Sequence, residues 1–182
     1  MDTTVEPTIR PYDSASDADE LWALKRAFER GLGEGTGDDG KSERYESKLT
    51  DAYREGYLEW VERCLGEEPE AVTVAAVGNE DQPEDDRDGS STLVGYVFVL
   101  PESLAYVWDA AILNEIYVAP DARGTGVADA LMERAFATAR DQDLPLERLV
   151  LDVDRENDRA QAFYERHGFA HWGEMVAREL GE

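Results

Sequence analysis

The segment Ile116–Ala128, IYVAPDARGTGVA, joins an apolar run, a break at Pro120 and a glycine-rich turn that opens a helix. Glycine at 124 and 126 lets backbone N–H groups crowd together without obstruction by Cβ atoms. A helix beginning near Thr125 points its unpaired N-terminal amides and the positive end of its dipole at the same spot. Arg123 adds a planar fork of charged donors suited to a pyrophosphate. These residues together predict a cradle for phosphate.

Two nucleotide-binding patterns fail at their diagnostic positions. A dinucleotide fingerprint needs a small residue three places after Gly126, where this chain has Asp129. A P-loop needs Gly-Lys-Ser/Thr, which is absent from the sequence. Cys64 is the sole cysteine, so no intramolecular disulfide or cysteine-based metal cluster can form. It recurs with Trp60, Val61 and Leu65 at helical spacing and reads as a packed thiol. His167 falls in the last turn before Gly168, where a cation complements the helix dipole and glycine ends the helix; neither it nor His171 is assigned acid–base work.

The elements that must carry the turn follow from periodicity. Val5–Pro11 is a first strand, and Asp17–Gly31 an amphipathic helix burying Leu21, Trp22, Leu24, Ala27 and Phe28. The glycine-rich Gly31–Gly40 interrupts order. One long helix over Glu43–Leu65 presents Tyr45, Leu49, Tyr53, Tyr57, Trp60 and Cys64 as a core stripe, some of whose phenols can line a substrate cleft. Strands Ala71–Gly78 and Thr92–Pro101 flank an acidic loop, 79–91, with no hydrophobic periodicity. Strand Ala110–Val118, helix Thr125–Arg140, strand Leu146–Val153, helix Arg159–His167 and strand Phe169–Val176 complete the order. This alternation predicts an α/β (α+β) fold, a mixed sheet with helices on its faces.

The chain has 182 residues and 42% apolar content, which suits a single domain over residues 1–182. Its 42 acidic and 18 basic residues give a formal charge of −24. Nucleic-acid binders display basic clusters and none appears here, so no nucleic-acid partner is expected. No apolar run approaches the roughly 18 residues of a membrane span, and the N-terminus lacks the features of a secretory signal, so a cytoplasmic protein with no membrane partner is expected. The three lysines against 15 arginines, with acid spread over helix faces, suggest a halophilic protein of a salt-rich cytoplasm. At about 1 M salt the Debye length is about 3 Å, so distant carboxylates hardly repel an anionic ligand.

Arg123, Gly126 and Ala128 fit the form Q/R-x-x-G-x-G/A, and downstream lies LDVDRENDRAQAFYERHGF, a strand, an Asn, and a helix with Ala, Phe-Tyr and a Gly-Phe stop. In these two motifs, covering roughly Leu113–Phe169, the chain resembles the GNAT superfamily of acetyl-CoA-dependent N-acetyltransferases. The resemblance implies a mostly antiparallel sheet with a V-shaped splay between two central parallel strands, and acetyl-CoA laid in it. Ile116, Tyr117 and Val118 would pair with the pantetheine arm. Amides from Arg123 through Gly124, Thr125, Gly126, Val127 and Ala128 would hold the pyrophosphate, and Asn157 would bind the cofactor arm. Tyr164 would lie near the sulfur as the acid that protonates the departing thiolate, and the Val118 amide would polarise the thioester carbonyl.

The family's glutamate base, four residues before Val118 in some members, is replaced here by Asn114. The adjacent Glu115 is the candidate base, although strand alternation turns it to the opposite face unless a bulge re-aims it. Asp152, a water chain or a pre-deprotonated substrate are the alternatives. The expected reaction is direct attack by a primary amine in a ternary complex, without metal. The Gly31–Gly40 loop, the N-terminal helices and Trp108–Asp109 would form the acceptor surface. A CoA-binding regulatory module without turnover, or use of a longer acyl-CoA, are the competing readings. A homodimer is the assembly the resemblance suggests, with the ending AHWGEMVAREL supplying a pairing strand.

Overall fold

The computed structural model describes residues 7–34, 41–78, 91–178 and 180. Val5 and Glu6 of the first expected strand, residues 35–40 of the glycine-rich loop and residues 79–90 of the acidic loop lie outside them. Five strands, β1 (Thr8–Pro11), β2 (Val72–Gly78), β3 (Ser91–Val99), β4 (Ala111–Val118) and β5 (Leu149–Val150), lie in that spatial order. The first four pair antiparallel and β5 pairs parallel to β4. The β4-to-β5 connection is the helix α4 (Val127–Asp141), as a parallel crossover requires.

Helices cover both faces. On one face α1 (Ala18–Glu34) and α3 (Asp51–Glu67) bury Leu21, Trp22, Leu24, Tyr57 and Val61 against Val72, Val74, Tyr96 and Phe98. On the other, α4 buries Val127, Leu131, Met132 and Ala135 against Ala75, Val97, Val99, Leu113 and Val118. The aromatic residues Phe163, Tyr164 and Phe169, in and just after α5 (Asp158–Arg166), pack onto this second core.

Four expected elements differ. The single helix over Glu43–Leu65 is broken into α2 (Lys41–Ser47) and α3, because the Thr50 hydroxyl accepts the Tyr53 N–H at 3.2 Å and starts a new helix. The first helix extends to Glu34, so Gly31 does not end it. Residues Phe169–Val176 form neither helix nor strand. The neighbouring β5 has two residues rather than the expected eight, too few to template a further strand, and Trp172 instead stacks its ring under the Arg148 guanidinium, 5.4 Å away.

The first turn of α1 is locked to β1. Asp17 is buried, accepts two bonds from Arg10 at 2.6 and 2.9 Å and accepts the Asp13 N–H at 2.9 Å. Burial opposes its charge, but Arg10 and these donors outweigh it and hold the carboxyl below its ordinary value. A lowered carboxyl binds protons less readily folded than unfolded. Its contribution is therefore complete above the unfolded value of about 4 and is lost as pH falls through the folded value. Denaturant unfolding across acid pH should show stability rising with pH in that window, and Asp17→Asn should lower neutral stability while flattening that slope. Arg10→Ala should cost on the order of 2 kcal/mol, less than for a fully buried pair because Arg10 is partly solvated.

Candidate active site

β4 is flanked differently along its length. It pairs with β5 at Ala111↔Leu149 and Ile112↔Val150, while its pairing with β3 runs on to Val118. Beyond Ile112 the described residues give β4 no strand on its β5 side, so an unpaired strand edge, the candidate cleft, is left between β4 and the segment Leu151–Asp154. The Ala119 N–H bonds the Val94 carbonyl on the β3 side at 2.8 Å. Peptide groups alternate direction along a strand, so the Val118 N–H and carbonyl, and those of Ile116, face the cleft.

The turn after β4 closes one end of this cleft. A single 3₁₀ turn, Pro120–Ala122, leads to Arg123, whose Nε donates to the Val118 carbonyl at 3.0 Å while its guanidinium covers the Tyr117 ring at 5.7 Å. Gly124 and Gly126 have φ of +76° and +87°, the left-handed region in which a side chain is strained. Gly126 caps α4, and the first bond of that helix runs from the Ala130 N–H to the Gly126 carbonyl at 3.0 Å. The amides of Val127, Ala128 and Asp129 are therefore the helix's unpaired donors. Residues Arg123–Gly126 are exposed and a Cβ added at either glycine meets open space, so an anion can reach the donors.

Asp129, which sits beside this turn, is neutralised from outside. It accepts Arg166 at 2.6 Å and pairs with His167 at 2.7 Å. The Arg166 bond outweighs a small burial effect and holds the Asp129 carboxyl below its ordinary value. The His167 ring also packs 4.7 Å from Phe163 and 6.2 Å from Phe136. These contacts fix α5 to the first turns of α4.

α5 places the remaining motif residues. The Asn157 Oδ1 accepts the Ala160 N–H at 3.0 Å and caps the helix. That uses the amide oxygen and leaves the NH₂ group out of the cap. Tyr164 is half-buried between Phe163 and Phe169, at 5.5 and 5.6 Å. Burial pushes its phenol up to about 12, so it is protonated at neutral pH.

Glu115 is aimed by a bulge. Val99 pairs with Leu113 and Phe98 with Glu115, so Asn114 is an extra residue without a partner on β3. Leu113 packs in the α4-side core, whereas Glu115 reaches the opposite face. There its Oε2 accepts the Tyr57 and Tyr96 hydroxyls at 2.9 and 2.7 Å. Its Oε1 accepts the Lys25 ammonium, and the Asn114 amide at 3.2 Å. Lys25 and Glu29 are as buried as Glu115, at 4, 3 and 4% exposed respectively. Sequence reasoning missed this pair. The signal was present as two charges four residues apart on the same helical stripe as Leu21 and Phe28. Asp152, by contrast, is exposed, and Trp108–Asp109 precede β4 at its β5-paired end, roughly 25 Å of strand from Val118.

A family model described as the Acetyltransferase (GNAT) family matches residues 38–169. The chain belongs to that family. It is 43% identical over 75 residues to a mycothiol acetyltransferase of Salinispora tropica, covering 40% of this chain and 24% of that protein. It is 28% identical over 134 residues to the peptidyl-lysine N-acetyltransferase YjaB of Salmonella typhimurium, covering 74% of this chain and 72% of that one. The match to the Salinispora protein thus spans about a quarter of that relative's length. In structure the chain is similar to the PaiA N-acetyltransferase of Thermoplasma acidophilum, solved in complex with coenzyme A, with a TM-score of 0.64 and 19% identity over 90% of this chain and 89% of that one. Among the described residues no helix is long and apolar enough to cross a membrane, and no group of three or more His, Cys, Asp or Glu is placed to hold a metal ion.

Gly95 packs tightly against the end of β4. It pairs with Val118, and a Cβ there would lie 2.9 Å from the Tyr117 carbonyl oxygen and 3.2 Å from Leu131 and Val118 side-chain atoms. Gly95→Ala should therefore cost about 1–3 kcal/mol by overpacking and shift the Tyr117–Val118 peptide. Thermal unfolding and the amide shift of Val118 by NMR would check it; an unmoved Val118 would show the strand accommodates the methyl elsewhere.

Proposed function

We propose that this protein transfers an acetyl group from acetyl-CoA to a primary amine by direct attack in a ternary complex. The observation that carries the reading is the cleft beside β4, with the Val118 peptide facing it and the Arg123–Gly126 turn at its end. The residues fit coenzyme A. Exposed backbone donors and Arg123 suit a pyrophosphate, and the strand edge at Ile116–Val118 suits the amide-bearing pantetheine arm. When bound, acetyl-CoA supplies an acyl group activated as a thioester.

The chain's own residues then divide the work. The Val118 N–H is placed to stabilise negative charge developing on a carbonyl oxygen. Tyr164 holds a proton at neutral pH and donates it to the departing thiolate. Glu115 takes the proton that the attacking amine must lose. Tyr164 packs on the α4 side of the sheet and Glu115 projects to the α1 side, so acid and base address a group in the cleft from opposite faces.

The acceptor is a small amine, a protein N-terminus or a lysine, and the chain's acid excess favours a cationic one. The name of the Salmonella relative supports the lysine option. A cytoplasmic setting, high salt and a homodimer belong to the same reading. A second reading, a CoA-binding module without turnover, is favoured by the engagement of both Glu115 oxygens with buried donors.

Calorimetry of acetyl-CoA binding from low to molar salt tests the cradle. Binding should tighten as salt screens the −24 charge, the reverse of an ordinary phosphate site, and Arg123→Ala and Gly126→Asp should weaken it at every salt. No binding by the folded parent at any salt would sink the proposal. In an amine and peptide screen, Tyr164→Phe should lower kcat by about 10²–10³-fold with binding retained. Tight binding with no acceptor found would favour the second reading.

A further inference from the structure

Four side chains of alternating charge run from β4 to the protein surface. The Lys25 ammonium hydrogen-bonds Glu115 Oε1 and forms an ion pair with Glu29 Oε1 at 2.6 Å; the Lys48 ammonium forms an ion pair with Glu29 Oε2 at 2.7 Å, an oxygen that accepts no hydrogen bond among the described residues. Glu115, Lys25 and Glu29 are buried, and the Lys48 side chain is 37% exposed. Two of the chain's three lysines stand here, in a protein whose other cations are almost all arginine. An ammonium is a compact charge that fits between two carboxylates, where a guanidinium fork needs more room. Lys25 also lies 4.9 Å from the centre of the Tyr57 ring and 5.2 Å from that of Phe28. Buried ion pairs are a weak source of stability because desolvation offsets the attraction, so a four-charge chain through the α1–sheet contact invites another role.

We propose that Lys25 is a positioning residue for Glu115, supplying the cation that faces its carboxylate and fixes it in one orientation, while Glu29 and Lys48 hold Lys25. This rests on the reading of Glu115 as the base of acyl transfer. The groups facing Glu115 are Lys25 from α1 with Glu29 behind it, Tyr57 from α3, Tyr96 from β3, the Asn114 amide beside it, and Lys48, through Glu29, from the turn after α2. Burial opposes the Lys25 charge, but Glu115 and Glu29 outweigh it and hold its pKa above the ordinary value. Burial, then Glu115, pushes the Tyr57 and Tyr96 phenols well above theirs. All three partners therefore remain donors at neutral pH. A hydroxyl can rotate from donor to acceptor and an ammonium cannot, so Oε2 is the oxygen that receives the amine's proton. The nitrogen keeps its electron pair for the new N–C bond, and Oε1 stays anchored on Lys25.

The test compares the parent with Lys25→Met, Lys25→Arg and Lys48→Met. Infrared titration reads the Glu115 carboxylate stretch, assigned as the band lost in Glu115→Gln, and the pH profile of kcat/KM is measured alongside. In Lys25→Met the midpoint of that band should rise by about one to three pH units, and the acid limb of the rate profile should move with it. Lys25→Arg should recover part of the shift. Lys48→Met removes a partly solvated side chain and should fold even if Lys25→Met does not; its shift should be smaller and in the same direction. Acetyl-CoA binding should be unchanged in all three. An unshifted band in folded Lys25→Met, or in Lys48→Met where Lys25→Met does not fold, would overturn the proposal. A parent that shows the band shift on substitution but no turnover would refute acyl transfer while supporting the hold of Lys25 on Glu115.

Discussion

The site depends on the unequal pairing of β4. Held by β3 along most of its length and by β5 at two positions, it has one strand edge whose peptide groups need other partners. Arg123 meets part of that need through the Val118 carbonyl. The rest of the edge can recognise a ligand that carries amides of its own, as an added strand would. In the proposed reaction the same parting is what would let side chains from both faces of the sheet address one bound group, which a continuously paired sheet would prevent.

A second constraint is that a carboxylate cannot be buried alone. The bulge at Asn114 turns Glu115 away from the α4-side core and toward α1, where Lys25, Tyr57 and Tyr96 supply donors. Those donors come from three elements distant in sequence, so the orientation of one strand residue fixes how α1 and α3 sit on the sheet. Trp22 and Trp60 pack on the Tyr57 ring, and the burial of Glu115, Lys25, Tyr57 and Tyr96 strengthens each interaction among them.

What could be read from the sequence was local. The turn after β4 and the helix bearing Tyr164 are short contiguous segments whose glycines, cap and periodicity carry their own geometry. The break at Thr50 was also local, but a continuous aromatic spacing from Tyr45 to Trp60 masked its capping signal. The bulge is a different matter, because it is a relation between two strands. Nothing in LNEI alone says that Asn114 is passed over by Val99 and Phe98. The strand expected over Phe169–Val176 failed for a similar reason, since an apolar run becomes a strand when an edge of sufficient length is available and β5 supplies two residues. Lys25 and Glu29 were hidden because charge on an amphipathic helix is ordinarily assigned to the wet face.

Asp129 shows how the two motifs act as one unit. In sequence it is an anion beside the turn proposed to hold phosphate, and by itself it opposes that role. In the fold its charge is answered by Arg166, with His167 hydrogen-bonded to the same carboxylate, at the far end of α5, while the aromatic contacts among Phe136, Phe163 and His167 fill the space between the helices. The carboxylate that would have repelled an anion becomes the anchor that fixes α5, and with it Tyr164, relative to the first turns of α4. The arrangement ties the distance between the glycine turn and the Tyr164 phenol to a side-chain contact, so the proposed acid and the proposed phosphate site are positioned by the same few residues.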